Sequence, residues 1–170
     1  SSPTRMPTDA TAIDAFLDRE AAVAVVTAYA AALDARDWGA YRALFADRIA
    51  IDYGAIGSIV ATIDADEWTR RCRALEGFDA TAHRLHNLRA EIEGDRAVVT
   101  GIVDAAHFIA VDGAALMGDL IGHYTHHLIR DGRWRIAGVT LTVAGYPAGK
   151  PAFDAAFAAA RARFAERGIA

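Results

Sequence analysis

Residues 81–146, TAHRLHNLRAEIEGDRAVVTGIVDAAHFIAVDGAALMGDLIGHYTHHLIRDGRWRIAGVTLTVAGY, carry β character for more than sixty positions. Turn signals divide the run at Glu93-Gly94-Asp95, Asp112-Gly113 and Asp131-Gly132. Asp-Gly and its relatives favour the positive backbone angles of tight hairpins. The spacing therefore predicts four long antiparallel strands, near 81–92, 96–110, 117–130 and 133–146. Strands of that length bend strongly, so the expected sheet is curved. Pro147 and Pro151 end the β region.

Upstream, Ile13, Phe16, Leu17, Val23, Val26, Tyr29, Ala30 and Leu33 recur at three- and four-residue steps, predicting a helix over 10–36. Asp18 is expected to divide it into a short and a long piece. Asp37 reads as the N-cap of a second amphipathic helix, 38–46, carrying Trp38, Tyr41, Leu44 and Phe45. Ile49 to Tyr53 and Ile59 to Ile63 read as a hairpin. Asp64 is expected to cap a third helix, 64–75, closed by Gly77. A last helix runs from Pro151 to Arg167, with Pro at its start and Gly168 past its end. The fold class is α+β: one strongly curved antiparallel sheet with the helices at 10–36, 38–46 and 64–75 on its concave side.

Length and composition bound the function. A chain of 170 residues, 54% hydrophobic and 24% charged, fits one compact domain, placed at 10–150. Residues 1–9 are expected to be a disordered or expression-derived leader. The helix of 151–170 is expected to pack on the domain or on a neighbouring subunit. A net charge of −4 offers no basic excess for nucleic acid. The longest apolar stretches are too short and too interrupted to cross a bilayer. A single cysteine, Cys72, excludes an internal disulfide framework and fits a reducing, cytoplasmic setting.

The six histidines, at 83, 86, 107, 123, 126 and 127, all fall in the β region. Alternation puts His107 on one face with Val99, Val103, Ala105 and Ile109, an inward polar group that needs a partner. His83 shares a face with Leu85 and Asn87 where no bulge intervenes, and Tyr53 with Ile49 and Ile51. Histidines, a tyrosine and an asparagine pointing into a curled apolar sheet describe a small-molecule pocket. Asp34 lies at the C-terminal end of the first helix, where a carboxylate opposes the helix dipole, and a sheet histidine is its expected partner. His123 and His127 share a face but stand roughly 13 Å apart along a strand, too far to share an ion. The cross-strand set His83, His107 and His123 is the rival metal reading; no motif has ligand spacing, and no metal or cofactor is expected.

Tyr29 with Asp34-Ala35-Arg36-Asp37-Trp38, Ile51-Asp52-Tyr53, His83 followed by Asn87, His107, and Asp131-Gly132-Arg133-Trp134 together resemble the scytalone dehydratase branch of the cone-shaped α+β barrels. That superfamily includes the SnoaL-like cyclases, ketosteroid isomerase, bile-acid dehydratase and nuclear transport factor two. The resemblance spans about 18 to 146. It implies a catalytic histidine at His83, oriented by the carboxylate of Asp34. It further implies a water-holding tyrosine at Tyr53 and a second active-site histidine at His107. Tyr29 matches a tyrosine of the bile-acid dehydratases. Leu33 falls where scytalone dehydratase has its other water-binding tyrosine, and His123 falls near its leaving-group asparagine, so scytalone itself is not the expected substrate. Asn87 joins Tyr29, Leu33 and His123 among the expected substrate contacts.

Such a set suits a dehydratase-type elimination on a small hydrophobic carbonyl-containing, polyketide-like or steroid-like substrate. Histidine titrates near neutral pH, so it can be the base, and a carboxylate on its other nitrogen fixes the tautomer. Isomerisation or ring closure would use the same groups, and a non-catalytic ligand-binding or assembly module is the alternative from another class. Exposed sheet surface predicts a homodimer or homotrimer. The C-terminal helix, with Phe153, Phe157 and Phe164 on one face, is expected to cover the outside of the sheet or a neighbouring subunit, or else to act as a lid hinged at Gly145, Pro147 and Gly149.

Overall fold

The computed structural model describes residues 10–168; the expected leader of 1–9 lies outside them. Helix α1 (Ala10–Ala35) is followed by α2 (Trp38–Ala43), β1 (Phe45–Asp52), a 3₁₀ turn at Gly54–Ile56, β2 (Val60–Asp64) and α3 (Ala65–Cys72). A second 3₁₀ turn, Arg73–Gly77, leads into β3 (Ala80–Glu93), β4 (Arg96–Val111), β5 (Ala114–Asp131), β6 (Arg133–Gly145) and α4 (Lys150–Glu166). The six strands form one sheet in the order β2-β1-β6-β5-β4-β3, antiparallel except where β1 runs parallel to β6. It curves without closing, so β2 and β3 are its two edges.

The turns are where the sequence puts them. Gly94, Gly113 and Gly132 have positive φ, and Asp112, at φ 50°, joins Gly113 in a left-handed pair between β4 and β5. Inward residues of the sheet, among them Val99, Val103, Leu128, Ile136 and Val139, form one core with Val26, Tyr29 and Leu33 of α1.

Several boundaries differ from the sequence reading. Asp18 does not divide α1, because its carboxylate binds the Arg130 guanidinium at 2.5 and 2.9 Å instead of capping a new helix. α2 stops at Ala43, and β1 starts at Phe45, a fully buried side chain that the sheet takes. Asp37 does cap α2, accepting from the Ala40 N–H at 3.0 Å. Asp64 makes no side-chain cap; it pairs with Arg48, and the region read as one helix over 64–75 is α3 plus the 3₁₀ turn.

Of the alternatives for α4, the outside of the sheet is the one the structure does not bear out: the helix packs on β5, β4 and the Arg73–Gly77 turn, with Phe153 and Phe157 against the inward-facing His107. Gly77 makes this possible, since a Cβ there would sit 2.0 Å from the Ala160 carbonyl oxygen. The preceding turn is tied down, because buried Asp119 accepts from the Ala148 N–H at 3.0 Å and the Tyr146 ring packs at a tilt against Phe153.

Candidate active site

The sheet's concave side and its helices enclose a cavity of about 370 Å³. Tyr29, Leu33, Tyr53, His83 and His107, five of the eight residues singled out in the sequence, line it. Asp34 stands behind its wall, joined to His83.

Asp34 lies in the last turn of α1, which holds no basic residue. Its Oδ1 accepts from the His83 ring at Nδ1 (2.7 Å) and from the Thr81 hydroxyl (2.9 Å), while Oδ2 accepts from the His83 backbone N–H (2.8 Å). Because β3 is a sheet edge, that N–H would otherwise lack a strand partner. Burial pushes the Asp34 carboxyl up, but the bonds from His83 and Thr81 outweigh it and hold the group below its ordinary value. An ionised Asp34 keeps the His83 proton on Nδ1 and leaves Nε2 with a free lone pair. The His83 side chain is only 6% exposed.

Two residues that sequence reasoning missed support this pair. Arg36, at φ 52°, donates to the Asp34 carbonyl, the Thr81 hydroxyl and the Leu75 and Phe78 carbonyls, tying the end of α1 to the segment before β3. The Thr81 hydroxyl accepts from Arg36 and donates its own hydrogen bond to Asp34. Neither role has a local signal, because apart from the Arg36 bond to the Asp34 carbonyl the contacts span 39 to 47 residues.

His107 faces Thr81 across the β3–β4 ladder and Gly118 across the β4–β5 ladder. Its Nδ1–H donates to the Gly118 carbonyl at 2.8 Å, which leaves Nε2 as an acceptor. Its ring meets those of His83, Phe78 and Phe157 at centroid separations of 5.2, 5.1 and 4.7 Å. Burial, helped by His83, pushes its pKa down to about 3, so it is neutral at pH 7.

Elsewhere in the cavity lie tyrosines. The Tyr29 and Tyr53 hydroxyls are 2.7 Å apart, and Tyr124 of β5 packs its ring edge against Tyr29. Burial drives Tyr29 and Tyr53 well above the ordinary phenol value and raises Tyr124 as well, so all three keep their protons. Tyr124 was legible as an inward position, since it alternates with Leu120, His126 and Leu128, all buried. His126 lies fully buried behind Tyr29 and Tyr124, and neither ring nitrogen has a hydrogen-bond partner among the described residues. Cys72 lines the cavity with its thiol pushed up to about 12 by burial, which removes it as a nucleophile.

Two of the expected substrate contacts, Asn87 and His123, do not line the cavity. Asn87 is exposed and does not line the cavity: His86 pairs with Ile102 and Arg89 with Thr100, so Asn87 and Leu88 together oppose Gly101 in a bulge. Leu88 turns inward there and Asn87, at φ 54°, turns out; a Cβ on Gly101 would meet Leu88 at 2.4 Å. His123 is exposed on the opposite face of β5 from Tyr124, so the set His83, His107 and His123 does not converge. Among the described residues no group of three or more His, Cys, Asp or Glu side chains is placed to hold a metal ion.

A curved, unclosed and largely antiparallel sheet with its helices and cavity on the concave side defines the cone-shaped α+β barrel class. The SnoaL-like domain profile matches residues 14–140, and the chain belongs to that family. Among solved structures it is similar to the Kfla4162 protein of Kribbella flavida, with 23% identity, 87% of this chain and 99% of that one covered, and a TM-score of 0.74. A provisionally assigned scytalone dehydratase from Novosphingobium aromaticivorans gives 21% identity, 82% and 90% coverage and a TM-score of 0.66. Rv3472 of Mycobacterium tuberculosis, of unknown function, gives 19% identity, 96% coverage of both chains and 0.66. At such identities the likeness concerns the fold alone. No curated protein sequence matches the chain. No helix among the described residues is long and apolar enough to cross a membrane.

Proposed function

We propose that the protein is a dehydratase-type lyase acting on a small hydrophobic carbonyl-containing substrate, with a polyketide-like or steroid-like ring system. The observation that carries this reading is the Asp34–His83 hydrogen bond of 2.7 Å beside an apolar cavity. A SnoaL-like fold adds support, since its members include dehydratases, isomerases and cyclases.

His83 Nε2 takes the proton α to the carbonyl, and the resulting imidazolium is stabilised by Asp34. Charge accumulates on the carbonyl oxygen. A hydroxyl of the Tyr29–Tyr53 pair donates a hydrogen bond to that oxygen. The imidazolium then protonates the β-hydroxyl, the C–O bond breaks as the C=C bond forms, and water leaves with His83 restored. His107, neutral and acceptor-only at Nε2, receives a hydrogen bond from the departing hydroxyl before it is protonated. Isomerisation follows from the same groups if His83 returns its proton to carbon.

The test is a panel of β-hydroxy ketones on one to three fused rings, followed by the absorbance of the conjugated enone. Turnover by the parent and none by a folded His83→Ala protein is the expected result. Turnover at the parent rate by His83→Ala would overturn the assignment.

A further inference from the structure

The cavity's lining changes character from floor to mouth. Buried residues such as Tyr29, Leu120 and His107 form the inner part, whereas Ser58, Arg71 and Arg161 line it while remaining exposed. Apart from the histidines, the charged residues among the described lining are these two arginines, and the lining holds no Asp or Glu, in a chain whose net charge is −4. Separate helices supply them. On α3, Trp68, Arg71 and Cys72 share the lining face; on α4, Phe153, Phe157, Ala160 and Arg161 do, so Arg161 continues the aromatic stripe by one turn.

Neither cation is used up by the fold. The Arg161 side chain makes no hydrogen bond or ion pair with any described residue. Arg71 binds Glu67 at 2.9 Å, but Glu67 is shared with Arg70, so the trio keeps a net positive charge. A guanidinium at the end of an aromatic stripe, above an apolar cavity, gains most from a ligand that is apolar at one end and anionic at the other.

We infer that the substrate of this site carries an anionic end group, a carboxylate or a phosphate, which Arg71 and Arg161 hold at the mouth while its apolar ring system fills the cavity. This rests on the cavity being the substrate site, as proposed above, and adds the charge of the substrate to that reading. The geometry also orients the ligand: the anion stays outside, away from Asp34, and the reacting carbonyl goes in first.

Binding of three probes separates the outcomes without any turnover: 1-naphthyl phosphate, 1-naphthaleneacetate and neutral 1-naphthaleneethanol, titrated by calorimetry in 20 and 500 mM salt. Two partly exposed charge contacts are together worth about tenfold in affinity at low salt. The parent should therefore bind at least one anion about tenfold more tightly than the alcohol, with the preference shrinking at high salt. Which anion wins distinguishes carboxylate from phosphate. Arg71→Gln and Arg161→Gln should each lose part of the preference and the double variant all of it, with neutral-probe affinity unchanged. Equal binding of alcohol and anions by the parent, or an unaltered preference in the double variant, would overturn the inference. His83→Ala should keep the anion preference; if that variant also keeps turnover, the catalytic reading fails while the charge preference stands.

Discussion

Asp34 grips His83 twice, through the ring nitrogen at 2.7 Å and the backbone N–H at 2.8 Å. The carboxylate thus fixes both where the edge strand lies against α1 and how the imidazole turns. Asp34→Asn keeps the shape but can present its amide N–H to the ring and select the wrong tautomer. A loss of about 10³- to 10⁴-fold in kcat is expected, with KM nearly unchanged. Parent-like kcat in a folded Asp34→Asn protein would remove the carboxylate from the mechanism.

Tyr53→Phe and Tyr29→Phe each remove one hydroxyl of the 2.7 Å pair at almost constant volume. Loss of a donor to developing negative charge costs about 3 kcal/mol, roughly a hundredfold in kcat. Steady-state kinetics on the substrate found in the screen decides it; a change confined to KM would make the tyrosines binding groups only.

His107 and His126 each sit near pKa 3 in the fold, against an ordinary value of 6.5. The unfolded chain therefore takes up protons first as pH falls below 6.5, and stability declines from there towards pH 3. At pH 5 each histidine accounts for about 2 kcal/mol of that loss. Asp34, held below its ordinary value, contributes stability that is lost only at lower pH, as its carboxyl protonates. Urea unfolding at pH 7.5 and 5 should show the decline, and His126→Phe should recover about half of it. An identical decline in that variant would contradict the assignment.

Phe157 touches Phe78, Phe153 and His107 and walls the cavity. Phe157→Ala should weaken binding of 1-naphthaleneethanol about tenfold and cost about 2 kcal/mol of stability. Removal of 151–170 takes buried Phe153 as well, so a large fall in Tm should accompany lost binding, in contrast to a freely hinged lid. Unchanged Tm with weakened binding would restore the hinged lid.

Phe108 and Met117 are register partners on β4 and β5 and, like nearby Ile121, remain exposed at 41, 39 and 37%. We propose that a second or third copy covers them. Light scattering should give two or three times the 18.1 kDa chain mass, and Phe108→Glu should lower it. A monomer over a wide concentration range would count against assembly.

The sequence by itself determined the strand-turn frame and turned Tyr29, Leu33, Tyr53, His83 and His107 towards one cavity. Asp112-Gly113 and Asp131-Gly132 announce hairpins because few other residues tolerate their backbone angles. Tyr29, Leu33 and His107 were legible because each lies on a regular element whose period fixes its face. His83 comes before the bulge, so alternation still holds there. Beyond it, one extra residue reverses the alternation, and Asn87 goes to solvent. At β5 the same period puts Tyr124 inward and His123 outward, which family resemblance alone misplaced. Only the tertiary structure decided that α4 packs on the concave side, that Arg36 and Thr81 brace Asp34, and that Arg71 and Arg161 line one cavity. Those relationships join residues distant along the chain, and they depend on how helices dock onto a curved sheet, which no local periodicity encodes.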